Sequence, residues 1–220
     1  MGQYDGGRQR GVRLPSPWGV LALVMLTGAA MMRNGIDGGE GPPQPVAAAS
    51  VDSGQGVVPP VVTGLVEPLP YSPASRISIP SLRVDAPAVE VGLDRNGWID
   101  TPPPQEANLA GWYQNGISPG QQGTSVIVGH VDIATGPAVF YGLGTLRKGN
   151  QIHVTRLDGR IAVFEVYGVE VFAKDAFPGA EVYGDNGVPE LRVITCGGGY
   201  TESGGYSGNV VVFARMVKAV

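Results

Sequence analysis

A period of two in the apolar residues is what most constrains this chain. It begins near residue 73 and recurs to the C-terminus. Arg76-Ile-Ser-Ile79 alternates, as do residues 151–156, 161–171 and 191–196. Residues 124–128 form a short apolar run, and residues 209–217 a longer one rich in β-branched side chains. Successive side chains of a strand point to opposite faces, so such runs bury one face and present the other. Gly, Pro and Asp-Gly separate the runs, as expected of short strands in an all-β barrel or sandwich. Asp158-Gly159, between two alternating runs, predicts a hairpin turn. Helical periodicity is weak. Residues 137–146 are the stretch suited to a short helix or turn, with Pro137 at a first helical position. The chain has no internal repeat.

Before residue 73 the pattern changes twice. Residues 1–13 carry Arg8, Arg10 and Arg13 against one acid, Asp5. An uncharged, largely apolar segment follows at 14–33 up to Met32; as a helix it would reach about 28 Å, close to the ~30 Å of a hydrocarbon core. The basic residues ahead of it predict a cytoplasmic N-terminus and an exported remainder. Its most apolar part, Trp18 to Met32, is also short enough for a secretory signal, and Gly28-Ala-Ala30 offers a cleavage site. The expectation is a single-pass anchor in the cell membrane with the folded domain outside the cell. Residues 34–72 are dominated by Gly, Pro, Ala and Ser without period, which is the composition of a spacer. The domain organisation is therefore 1–13 basic, 14–33 anchor, 34–72 linker and 73–220 folded domain. A net charge of −4 gives no basic face for a nucleic acid.

Two residue types carry the chemistry. The chain has one cysteine, so no disulfide can form within it, and a lone thiol on an exported protein is a reactive-site candidate. Cys196 ends a strand pattern and enters Gly197-Gly-Gly-Tyr200, a loop with exposed backbone and room for a substrate. His130 likewise follows an apolar run and a glycine. His153 differs: it lies between Ile152 and Val154 and is expected on the solvated face. A thiol must lose its proton to attack a carbonyl, and a neighbouring His can hold the thiolate and then protonate a leaving amine. A third group must stabilise the oxyanion, either backbone N–H groups or a side chain such as Arg.

These segments resemble a known family. Val193-Ile-Thr-Cys196 is similar to the Thr-Leu-x-Thr-Cys signature of sortases, and Val128-Gly-His130 to their catalytic His segment, in the same order and about 66 positions apart. Gly129-His-Val-Asp132, Gly136-Pro-Ala-Val-Phe140, residues 191–198 and residues 206–212 narrow the resemblance to class F sortases of actinobacteria. It spans about 76–214.

The resemblance implies a closed, roughly eight-stranded β-barrel with short helical turns and with Cys196 and His130 at neighbouring strand ends. It implies a cysteine transpeptidase. Its thiolate would cleave a Leu-Pro-x-Thr-Gly-like sorting signal between Thr and Gly, and an amine of a cell-wall precursor would resolve the acyl-enzyme. The implied partners are surface proteins bearing such signals. Neither a metal nor an organic cofactor is required. One departure matters: Asn209 stands where the family carries an Arg on the strand after the Cys loop. Arg192 is the substitute candidate, because Arg192, Ile194 and Cys196 share a strand face. Ile194, Gly197, Tyr200 and Asn209 are expected at the substrate. Asp132 either orients His130 or caps its loop, and Trp112-Tyr113 either lines the groove or fills the core.

Three alternatives stay open on sequence. They are an L,D-transpeptidase, which lacks support because no Ser-x-Gly-Cys context is present; a catalytically silent surface-binding barrel; and a hydrolase that releases the acyl group to water.

Overall fold

A computed structural model describes residues 41–46 and 66–220. The basic N-terminus, the 14–33 segment and most of the linker lie outside the described residues. Ten strands follow in chain order: β1 (Ala74–Ile79), β2 (Val84–Val91), β3 (Ala110–Tyr113), β4 (Gly123–Gly129), β5 (Asp132–Ile133), β6 (Gly136–Pro137), β7 (Gln151–Arg156), β8 (Ile161–Ala173), β9 (Pro189–Thr201) and β10 (Gly205–Ala219). Eight of them close into a barrel in the order β1-β2-β3-β4-β9-β10-β8-β7, sealed by β7 against β1. The pairs β2–β3 and β4–β9 are parallel. The fold is all-β, as the alternation predicts, and of the two architectures left open it is the closed barrel that the resemblance implies.

Each predicted alternating run is found in a strand. The Asp158-Gly159 turn joins β7 to β8, with Gly159 at φ +82° and its N–H donating to the Arg156 carbonyl. Pro137 is the exception. It pairs with Asp132 in the small β5–β6 hairpin instead of starting a helix, and the helical turn falls later, at Leu143–Thr145.

The strands bury both faces over part of their length. Leu191 and Val193 of β9 and Val210, Val212 and Ala214 of β10 point into the barrel with Ile77, Ile127, Ile152 and Trp112. Val126 and Val128 of β4, Ile194 of β9, and Val211 and Phe213 of β10 point outward. They form a second apolar cluster with Tyr167 and Val182. The segment between β8 and β9 covers this outer face and contains the short helix α1 (Gly179–Tyr183). A register slip helps to fit both layers. Phe213 pairs with Gly168 and Ala214 with Val166, so Tyr167 is a bulge. The bulge switches side-chain parity, and Val166 and Val169 both reach the inner core while Tyr167 joins the outer cluster.

Packing begins ahead of β1. Leu69 lies in the core, its N–H donates to the Gly120 carbonyl, and the Pro70 carbonyl accepts from the buried Arg156. Residues 41–46 also lie against the barrel. The Pro43 carbonyl sits where a side chain at Gly144 would be, and Gln44 Oε1 accepts the Gly198 N–H at 3.2 Å.

Candidate active site

Strand register assembles a row of four residues across the outer face. Val128 pairs with Ile194, and two residues beyond them are His130 and Cys196. Cys196 pairs with Asn209, and Asn209 with Phe172. Paired residues project from the same face of a sheet. The order across the sheet is therefore Phe172, Asn209, Cys196, His130. Positions distant in sequence meet because β9 is paired on one side with β4 and on the other with β10.

His130, Cys196 and Asn209 of this row line a cavity of about 350 Å³, while Phe172 packs on Phe177 and does not line it. Val128, Ile194 and Thr195 line its base, beside Gly129, His130, Cys196 and Asn209. One wall is Trp98, Ile99 and Thr101, from the connection between β2 and β3. The other is Lys174, Phe177 and Tyr183, from the segment between β8 and β9. Trp98 meets Phe177 edge-on, with ring centroids 6.5 Å apart, and Phe177 in turn packs on Phe172 and Tyr183. The walls thus bring aromatic surface to an otherwise aliphatic groove.

Two contacts set the geometry around His130. Thr195, immediately before Cys196, donates its hydroxyl to the Gly129 carbonyl, immediately before His130, at 2.8 Å and buried. This bond ties β9 to the end of β4 beside Cys196 and His130. Cys196 does not end its strand as the sequence suggests, because β9 continues to Thr201 paired with β10, and residues 197–200 are strand rather than loop. Gly129 is required by close approach, since a Cβ there would lie 2.6 Å from the Phe140 ring. The His130 Nε2 is 2.7 Å from the Pro102 carbonyl. A carbonyl only accepts, so Nε2 is assigned the proton and Nδ1 is left to exchange a proton elsewhere.

Asp132 does not pair with His130. It accepts a short hydrogen bond from the Tyr206 hydroxyl, and Tyr206 packs on Tyr200 with centroids 5.0 Å apart. Burial, and then the bond to Asp132, push the Tyr206 hydroxyl well above the usual tyrosine range, so it stays a donor. The β5–β6 hairpin after His130 is thereby fastened to the β9–β10 hairpin beyond Cys196.

Arg192 is placed differently from the sequence expectation. It shares the outer face with Ile194 and Cys196, as parity requires, but it is buried beneath α1 and does not line the cavity. Its Nη2 pairs with Glu190 Oε2 at 2.7 Å, its Nε donates to the Val182 carbonyl at 2.9 Å, and its guanidinium lies 4.6 Å from the Phe213 ring centre. Glu190 is fully buried and also accepts from Tyr167, Asn186 and Arg215. Arg192, four positions nearer the strand start than Cys196, falls under the covering segment rather than into the open groove. Arg192 therefore holds the wall that carries Tyr183.

Of the other expected substrate contacts, Asn209 and Ile194 line the cavity. Gly197 is buried against Val210 and does not line it, and Tyr200 is 61% exposed on Tyr206. His153 is on the outer face near Gln151 while Ile152 and Val154 are fully buried. Trp112 fills the core. The walls contributed by Trp98, Ile99, Thr101, Lys174, Phe177 and Tyr183 carry no local signal in the sequence. They are loop residues, and only the loops' return over the outer face makes them part of a site.

Comparison with known proteins agrees with this geometry. A sortase from Actinomyces oris, SrtA, superposes with a TM-score of 0.51 at 19% identity, over 71% of this chain and 87% of that one. Sortase C-1 from the same organism gives a TM-score of 0.50 at 26% identity, over 64% and 72%. Sortase A from Listeria monocytogenes gives 0.50 at 16%, over 68% and 90%. No curated protein matches by sequence. The sortase domain profile matches residues 77–217, from within β1 to within β10, a range that includes Cys196 and His130. With that match over most of the chain and a barrel of the same fold, the chain belongs to the sortase family.

Proposed function

We propose that this sortase is a class F cysteine transpeptidase anchored in the cell membrane, cutting a Leu-Pro-x-Thr-Gly-like signal between Thr and Gly. The reading is carried by one observation: the cross-sheet row that brings Cys196 and His130 to a single groove. The Cys196 thiolate attacks the Thr carbonyl carbon, and the carbonyl π electrons move to oxygen. Collapse of that intermediate breaks the C–N bond while the His130 imidazolium gives its proton to the departing glycine nitrogen. A thioester remains. A cell-wall amine then attacks it, its proton passes to His130, and the C–S bond breaks to regenerate the thiolate. Apolar and aromatic walls suit the Leu-Pro portion of the signal, because burying such side chains contributes about 1.5–3 kcal/mol each.

The test uses the full chain with peptides carrying the motif, with and without an amine acceptor, followed by intact-mass spectrometry. An adduct on wild type but not on Cys196→Ala, converted to a new amide by the amine, is the expected result. Hydrolysed product alone in the presence of amine would make the chain a hydrolase. No adduct with any motif peptide would end the transpeptidase reading.

A further inference from the structure

The carbonyl oxygen becomes negative as Cys196 adds to it, and a site of this kind works by presenting positive charge or donors where that charge develops. Asn209, opposite Cys196, is neutral. His130 is occupied with proton transfer. Arg192 and Arg215, on the outer face of the same strands, are both buried against Glu190 below the groove. Among the cavity-lining residues, the one other side chain with a positive charge is Lys174.

Its position follows from the register. Phe172 is the row partner of Asn209, and β8 ends at Ala173. Lys174 opens the helical turn that follows, two residues beyond the row and on the cavity rim. Two inter-strand steps, roughly 10 Å, separate the β8 and β9 backbones. A flexible four-carbon stem on an exposed rim residue is suited to closing that gap. No carboxylate pairs with it in any salt bridge among the described residues. Its charge is weak while water fills the groove. It strengthens once a bound peptide displaces that water.

We propose that Lys174 is the groove's catalytic cation, its ammonium donating to the oxyanion of the Cys196 adduct. The assignment rests on the transpeptidase reading above. The test compares two reactions of the same thiol in the full chain: acylation by a motif peptide, which passes through an oxyanion, and alkylation by iodoacetamide, which forms none. Lys174→Met keeps the stem and removes the charge. Its acylation rate constant is expected to fall by about 10²-fold, in line with the loss of one oxyanion donor. Its alkylation rate is expected to stay within about threefold, and Lys174→Arg to recover part of the acylation. Wild-type acylation by Lys174→Met and Lys174→Ala overturns the assignment. So does a parallel fall in both reactions, which would place the effect on the thiolate or on the fold. If wild type alkylates but no peptide acylates it, the transpeptidase reading has failed, and the Lys174 assignment with it.

Discussion

The residue that departs most from expectation is Arg192. Its guanidinium neutralises Glu190 in the protein interior, and both side chains are essentially inaccessible. Arg192→Ala leaves Glu190 with the longer Arg215 contact at 3.4 Å and removes the closer ion pair, the bond to the Val182 carbonyl and the packing on Phe213. Such a loss of buried interactions costs about 1–3 kcal/mol. Arg192→Ala is therefore expected to lower the denaturant midpoint markedly. Any loss of acylation should track the unfolded fraction, and acylation measured well below that midpoint should be near normal. A fully stable Arg192→Ala that cannot acylate would return Arg192 to the active site. Asn209 has the opposite character: it lines the groove opposite Cys196 and holds no buried ion. Asn209 is half-buried, and Asn209→Ala should change the unfolding free energy by no more than about 0.5 kcal/mol, as substitutions away from core packing and buried ion pairs usually do, so that a change in peptide acylation reports on the groove alone.

At the scale of elements, the two reactive residues depend on two hairpins being fastened together. Tyr206 of β10 reaches Asp132 of β5, across from the Thr195–Gly129 bond. Tyr206→Phe keeps the ring packed at a tilt against Tyr200 and removes only the hydroxyl. It should reduce kcat by roughly three- to tenfold with little change in KM, about the effect of one net hydrogen bond of ~1 kcal/mol. Unchanged kcat would show that the Thr195 bond suffices. The same tyrosines predict alkaline behaviour. Tyr167 and Tyr206 are both pushed above the ordinary tyrosine range, by burial first and then by their carboxylate neighbours. A group whose folded pKa exceeds its unfolded one contributes stability below the unfolded value and loses it as pH rises beyond. Stability should therefore decline above about pH 10, in a range set by those shifts. Tyr167→Phe should flatten part of that decline in a pH series of thermal melts. An identical decline in wild type and variant would rule Tyr167 out as a contributor.

For the whole molecule, the folded unit reaches further toward the N-terminus than the strand pattern indicates. Leu69 is in the core, and Ser72 accepts the Asp158 N–H through its hydroxyl. A chain starting at Val66 should melt several degrees above one starting at Pro73, since a buried Leu and its hydrogen bonds are worth about 2 kcal/mol or more. Equal melting would mean that residues 66–72 add nothing.

The pattern of apolar residues by itself determined the all-β class and the positions of six of the eight barrel strands, β2 and β3 lying outside the runs it marks. It does so because a strand's side-chain period is a local property of the backbone. Cys196 and His130 were legible as candidates by residue type and neighbouring glycines. His130 does follow the end of β4, whereas Cys196, expected at a strand end, lies within β9 because that strand runs on to Thr201 against β10. What only the tertiary structure decided is which strands are neighbours and what covers the outer face. Placing β4 and β10 on either side of β9 sets the row through Asn209 and Phe172. Laying the segment after β8 over that row buries Arg192 while leaving Lys174 at the rim. Parity told which way Arg192 points. Whether that direction leads to solvent, substrate or a covering loop depends on contacts between segments far apart in the chain, and local periodicity carries no information about those.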